Sequence, residues 1–226
     1  MNAQETRVIL NTRNLVQSKL HDIESSLRGM LGNFGLKVGA VTSARFAERI
    51  KELVEGHPTL VVVAAALLSA HAVLLREFNN LEKRVLAIAR HDERAKLLMT
   101  TPGVGPVVSL TYVSAVDDPS RFRSSKTLGA HFGMTPRKYQ SGETDITGRI
   151  SKIGDKSIRW ALGQAAHVIL TRPVKSSALK SWALRLAKRV GMKKAKVALA
   201  RKLAVIMHRM LVEGTRFNPG PGAAGA

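Results

Sequence analysis

The residues whose types and spacing could do chemistry lie between Gly133 and Arg159, where GMTPRKYQSG is followed, after a short interval, by ISKIGDKSIR. Ser141 stands next to Gly142 in a segment that holds Arg137, Lys138, Arg149, Lys152 and Lys156, with Arg159 one helical turn into the next apolar-periodic stretch. A hydroxyl among cations suits attack on a phosphodiester: the cations offset charge as it builds on phosphorus, and the hydroxyl needs activation to become a nucleophile. Thr135-Pro136 breaks the preceding apolar segment, and Gly142 and Gly148 give the residues after it flexibility, so the spacing predicts a basic loop from Pro136 to Asp155. On chemistry alone a Ser-Gly pair is far more often a turn than a nucleophile, and both readings stay open at this point.

The surrounding charge favours a polyanionic partner. The 226 residues carry 36 Lys and Arg against 16 Asp and Glu, a formal charge of +20, more than solubility requires. Residues 1–92 hold 12 basic and 9 acidic side chains and residues 93–226 hold 24 and 7, so nearly all the excess belongs to the second part. Spread through a folded pattern instead of packed into one juxtamembrane cluster, this charge points to nucleic acid before a membrane surface. There is no cysteine, which excludes disulfides and thiolate metal sites and fits a reducing cytoplasm. The apolar run Leu60 to Leu75 is expected to be a buried helix, too short to span a membrane.

The elements that must position the basic segment are read as helices. In residues 1–92, Val16, Leu20, Ile23, Leu27, Met30 and Phe34 alternate spacings of four and three, and so do Leu67, His71, Leu74, Phe78, Leu81, Val85 and Ile88. These are heptad seams. Glycines from Gly32 onward end the first helix, Thr42-Ser43 can cap a short one, and Pro58 can open a long third. The expected architecture is all-α: a long coiled-coil-like helical hairpin over 1–92, packed within one chain or used for dimerisation, with His71 setting register. A compact helical domain occupies 93–214, and a disordered tail 215–226.

Within that domain, Thr101-Pro102-Gly103-Val104-Gly105 between two apolar stretches has the form of a helix-hairpin-helix, in which Gly103 and Gly105 would let backbone amides approach a phosphate. The alternative is an ordinary turn between packed helices. Asp117-Asp118 before Pro119 reads as a cap, and the scattered carboxylates after position 92 form no two-metal cluster. Two further helices carry a run of basic residues without an acid, among them Lys193, Lys194, Arg201 and Lys202, placed to contact phosphates.

Those blocks, Thr101 to Gly105, Asp118 to Phe122, Phe132 to Arg137, Gln140-Ser141-Gly142, Ile150 to Asp155, Ile158-Arg159 and Ala200 to Ala204, together resemble the C-terminal domain of the DEDD-type insertion-sequence transposases, the family named after insertion sequence one-hundred-and-ten. The likeness covers roughly residues 93–214, and residues 1–92 resemble the coiled-coil region that precedes it. The resemblance implies that Ser141 is the nucleophile of DNA strand cleavage and exchange. It also implies a structured guide RNA, a homodimer or tetramer, a nucleoid-associated cytoplasmic location with no membrane, and Mg2+ held by the Asp-Glu-Asp-Asp set of an N-terminal RuvC-like domain. This sequence contains no counterpart of that set, so no metal or cofactor is expected on the chain itself. Activity alone is then not expected, and the alternative is a non-catalytic DNA- or RNA-binding protein that modulates a full-length transposase.

Overall fold

The computed structural model describes residues 2–174 and 176–220, the side chains of Thr144 and Thr147 excepted. In chain order its elements are α1 (Ala3–Gly32), α2 (Ser43–Val54), α3 (Pro58–His91), α4 (Glu93–Leu98), α5 (Pro106–Val116), α6 (Leu128–His131), β1 (Pro136–Ser141), β2 (Thr144–Ile150), α7 (Lys156–Thr171), α8 (Ala178–Val190) and α9 (Met192–Glu213), with two short 3-10 turns between α5 and α6. The all-α expectation holds in substance, with one addition. The segment expected as a loop is an antiparallel two-stranded sheet. The chain divides into two compact units, Val8–Arg84 and a second that runs from Val85 onward and takes in α1 up to Arg7.

In the unit Val8–Arg84, α1, α2 and α3 share a core of Leu27, Leu31, Phe46, Ile50, Val54, Leu60, Ala64 and Leu68. Arg13 pairs with Glu82 and Glu24 with His71 (3.1 Å). From the first pair to the second the position advances by eleven on α1 and retreats by eleven on α3, the mark of antiparallel helices. His71 is buried against the Phe46 ring (centroids 5.5 Å). The Arg13 guanidinium, almost wholly buried, also lies over the Phe78 ring at 4.9 Å.

Two expectations for this unit change. The first seam does not reach Phe34, which is 60% exposed, because α1 ends at Gly32 and Leu31 takes the buried place. The run Leu60 to Leu75 is not a buried helix. It lies in the 34-residue α3, which by length and composition is long and apolar enough to cross a membrane. Only the stripe Leu60, Ala64, Leu68 and His71 is covered, while Val61, Val62 and Val73 stay exposed. A single helical stripe is all that two neighbouring helices can cover.

In the second unit α5 is buried on nearly every side, so its apolar residues show no amphipathic period, and Ser109, Thr111 and Ser114 are buried among them. It packs with α4, α6, α7, α8 and α9 around Leu98, Tyr112, Leu128, Phe132, Ile158, Leu162, Leu199 and Leu203. Tyr112 is fully buried and its hydroxyl donates to the Ala204 carbonyl of α9 at 2.6 Å. Burial without a charged partner pushes its phenol well above the ordinary tyrosine range, so it remains a donor. His208, also buried, lies 3.0 Å through Nε2 from the Pro119 carbonyl and 2.8 Å through Nδ1 from the Ser125 hydroxyl. Because a carbonyl can only accept, Nε2 is the donor of the first of these bonds. That pair ties the connection between α5 and α6 to α9.

The tail expected to be disordered from 215 is docked over its described part. The Phe217 amide donates to the Thr100 hydroxyl (3.0 Å), the Pro219 carbonyl accepts from Ala178 at the start of α8 (2.9 Å), and the Phe217 ring packs on the core. Composition hid this, because the anchor is one aromatic residue beside a Pro-Gly stretch. Residues 221–226 lie outside the described residues.

Replacing Tyr112 by Phe removes the one side-chain bond that crosses from α5 to α9 inside the core. Urea denaturation followed by circular dichroism is expected to show a loss of about 1 kcal/mol, with the slope of the transition unchanged.

The serine hairpin and candidate nucleic-acid interface

Ser141 is the last residue of β1 and faces Thr144, the first of β2, across a two-residue turn of Gly142 and Glu143. Gly142 has φ 55°, while Glu143 is not among the residues of positive φ. This is the pattern of a type II′ turn, which takes glycine first. The sequence forms strands here because Tyr139, Thr144, Ile146, Thr147 and Ile150 are β-branched or aromatic and flank such a turn. Pairing runs Tyr139↔Ile146, Gln140↔Asp145 and Ser141↔Thr144, and a bulge separates Lys138↔Thr147 from Pro136↔Ile150. All of β1 is exposed, so the ribbon stands out from the helical core.

The foot of the ribbon is held by backbone contact. Gly133 has φ 65°, and a Cβ there would lie 2.0 Å from the Ile153 carbonyl oxygen; at Gly154, φ 98°, it would lie 2.5 Å from the His131 carbonyl oxygen. The Ser151 amide donates to the Thr135 carbonyl and the Lys152 amide to the Gly133 carbonyl, each at 2.9 Å. Arg159 reaches back from α7, and its Nη1 lies within 3.3 Å of the carbonyl oxygens of Phe132, Ile153 and Gly154. Asp155 caps α7 through the Ser157 amide (2.7 Å) and accepts from Arg7 at 2.9 Å.

This geometry places the residues expected from sequence in three groups. Ser141 is at the tip with Glu143, and Asp145 lies on the opposite face. Arg137, Lys138 and Arg149 are exposed along the ribbon, with Arg137 donating to the Ser151 carbonyl at 3.2 Å. Lys152, Lys156 and Arg159 belong to the foot, five strand residues from Ser141, about 16 Å at the usual rise. The convergence of all these cations on one phosphate, expected from their closeness in sequence, is not what extended strands give. Arg159 is a structural staple, with the nitrogen nearest the ribbon shared among three carbonyls. Lys152 adopts φ 58°, a conformation uncommon outside glycine, at the point where the chain leaves the ribbon.

The helix-hairpin-helix reading of residues 101–105 changes in the same way. Gly103, φ 77°, is packed on α7, where a Cβ would meet the Ala165 carbonyl oxygen at 2.9 Å and Ile169 at 3.0 Å. Its glycine is required by helix packing. Gly105, the N-cap of α5, faces open space. On α9, Lys193 and Lys194 are exposed in the first turn, Arg201 lays its side chain across Gly129 of α6, and Lys202 sits 4.1 Å over the Trp182 ring.

The carboxylates have local duties. Asp118 accepts from the Ser120 hydroxyl and amide (2.8 and 2.9 Å), and these bonds, with the hydroxyl first, hold its carboxyl below the ordinary range. That cap is therefore complete above the ordinary carboxylate range and is lost as pH falls through the lowered value. Among the described residues no three His, Asp or Glu side chains are grouped to hold a metal ion.

The described residues thus form a helical core that presents a basic two-stranded ribbon with a serine at its tip. Residues 95–181, from α4 to the first turn of α8, match the Transposase IS116/IS110/IS902 family. It is 28% identical over 223 residues to the transposase for insertion sequence element IS1111A of Coxiella burnetii, covering 96% of this chain and 61% of that one. It is 29% identical over 197 residues to the transposase for insertion sequence element IS1328 of Yersinia enterocolitica, covering 86% and 59%. A shorter stretch of 79 residues is 35% identical to the pilin gene-inverting protein of Moraxella bovis, covering 34% of this chain and 24% of that one. The chain thus spans little more than half the length of the insertion-sequence relatives it matches.

The glycine of the turn and the glycine at the foot should respond differently to alanine. Gly142→Ala meets only the left-handed backbone cost, about 1 kcal/mol, because space at the turn is open. Gly133→Ala must displace the Ile153 backbone as well, and differential scanning calorimetry is expected to show at least twice that loss.

Proposed function

We propose that this chain supplies the serine chemistry of an insertion-sequence transposase, with Ser141 as the nucleophile of DNA strand cleavage and exchange. The observation that carries this reading is the position of Ser141 at the exposed tip of a ribbon inside the domain shared with proteins named as transposases. Its Oγ attacks a backbone phosphorus and forms a serine–phosphate ester. One original ester bond breaks, and its oxygen leaves as a hydroxyl after taking up a proton; the serine proton passes to water or to a base of the assembled complex. The step exchanges one phosphate ester for another, so the bond energy is kept for rejoining.

The rest of the surface serves binding. Arg137, Lys138 and Arg149 follow the backbone beside the reacting phosphate, while Lys152 and Lys156 at the foot and Lys193, Lys194, Arg201 and Lys202 on α9 take phosphates further along. Gly105, open at the start of α5, offers amides to a passing strand. The uncharged outer side of α3, with Val61, Val62 and Val73 exposed, suits self-association into a dimer or tetramer. A guide RNA and a Mg2+-bearing RuvC-like domain would complete the complex, the metal resting on carboxylates other than those of the described residues.

Mixed with a RuvC-like partner and matching DNA, the chain is expected to form a protein–DNA adduct that survives denaturation and is abolished by Ser141→Ala. Binding without adduct in either protein would leave a non-catalytic nucleic-acid-binding protein instead. Removing Lys193 and Lys194 together is expected to lower the slope of log affinity against log salt by about 1–2, measured by fluorescence anisotropy, without touching adduct chemistry at saturating DNA.

A further inference from the structure

The ribbon carries a second exposed feature on the face of Ser141. Tyr139 and Ile146 are direct cross-strand partners and so share a face; Ser141, two residues beyond Tyr139, is on the same one. Tyr139 is 56% exposed and Ile146 58%, an unusual display on a narrow ribbon that has no apolar core of its own. The Tyr139 ring lies over Gly148, where a Cβ would come within 3.2 Å of Cε2. The strand beneath the ring is therefore bare, and any larger residue there would push the ring away. Arg137 is on the same face, while Asp145 is on the other.

We propose that Tyr139, flanked by Ile146, is a stacking platform for an unstacked base next to the phosphodiester that Ser141 attacks. Tyr139 and Ser141 are two strand residues apart, roughly 7 Å. Stacked bases are separated by about 3.4 Å along a strand, so a base step opened by one inserted ring spans about the same 7 Å. A ring in the gap would put the neighbouring phosphate at the serine, as apolar wedges do when they unstack a base step. Every base has a π-face, so the platform accepts any base and selects for distortion, not sequence. Tyr139 is a positioning residue here, and its role rests on the reading of Ser141 as nucleophile.

The competing explanation is that Tyr139 only covers the bare glycine of the partner strand, and two variants separate the two. The chain is titrated with a duplex holding one unpaired 2-aminopurine and with the fully paired duplex. The wild type is expected to prefer the unpaired base and to quench its fluorescence. Tyr139→Ala and Tyr139→Leu should both lose that preference by about five- to 150-fold, the usual range for one base–aromatic stack, with affinity for the paired duplex unchanged. Tyr139→Phe should keep it. Leu still covers Gly148 but has no π-face, so a preference retained in Tyr139→Leu overturns the proposal, as does no preference in the wild type. Ser141→Ala should leave the preference and the quenching intact. Failure of the adduct assay with the preference present would sink the nucleophile alone, and an adduct formed without the preference would sink the platform alone.

Discussion

The close approach of two backbones at the foot of the ribbon is the constraint on which the candidate site depends. Gly133 and Gly154 each stand where a single methyl group would overlap a carbonyl oxygen, and only that absence of side chains lets the chain enter and leave β1–β2 through one narrow neck. Arg159 then commits its guanidinium to the carbonyl groups crowded there. Without the neck the ribbon would still form its own turn. It would have no fixed direction.

The helical core explains why the neck can be so demanding. α5 is buried on nearly every side, and Tyr112 and His208 are satisfied by partners on other elements, so the base from which the ribbon rises has little room to adjust. Packing at this density resists small shifts. The exposed ribbon has the opposite character: it makes no apolar core and depends on whatever it meets. A rigid support thus carries an open, charged projection.

Sequence makes the long helices α1, α3 and α7 legible because each buries a stripe with a clear period. Pro58 opens α3, Asp155 caps α7, and His71 takes the polar seam position. The features that stay hidden depend on partners far along the chain. Phe34 continues the period of a helix that has already ended. Gly103 and Gly105 read alike, yet one is forced by α7 and the other faces open space. The ribbon is the largest departure, although Ser-Gly-Glu-Thr between Tyr139 and Ile146 is a hairpin signal; glycines that suggest looseness include one that the turn requires. Once the segment is two strands and not a loop, nearness in sequence no longer implies nearness in space, and the six cations divide between ribbon and foot.

The bulge near Pro136 has a consequence of parity. On an uninterrupted β2, counting from Ile146, Arg149 would fall on the side of Lys138 and Asp145. The pairing of Ile150 with Pro136 shows that the count restarts, since two residues, Gly148 and Arg149, stand opposite Arg137 alone. Arg149 is thereby transferred to the side of Tyr139 and Ser141. One inserted residue sorts the ribbon into unlike surfaces: an electropositive one that carries the hydroxyl, and another on which Lys138 and Asp145 cancel.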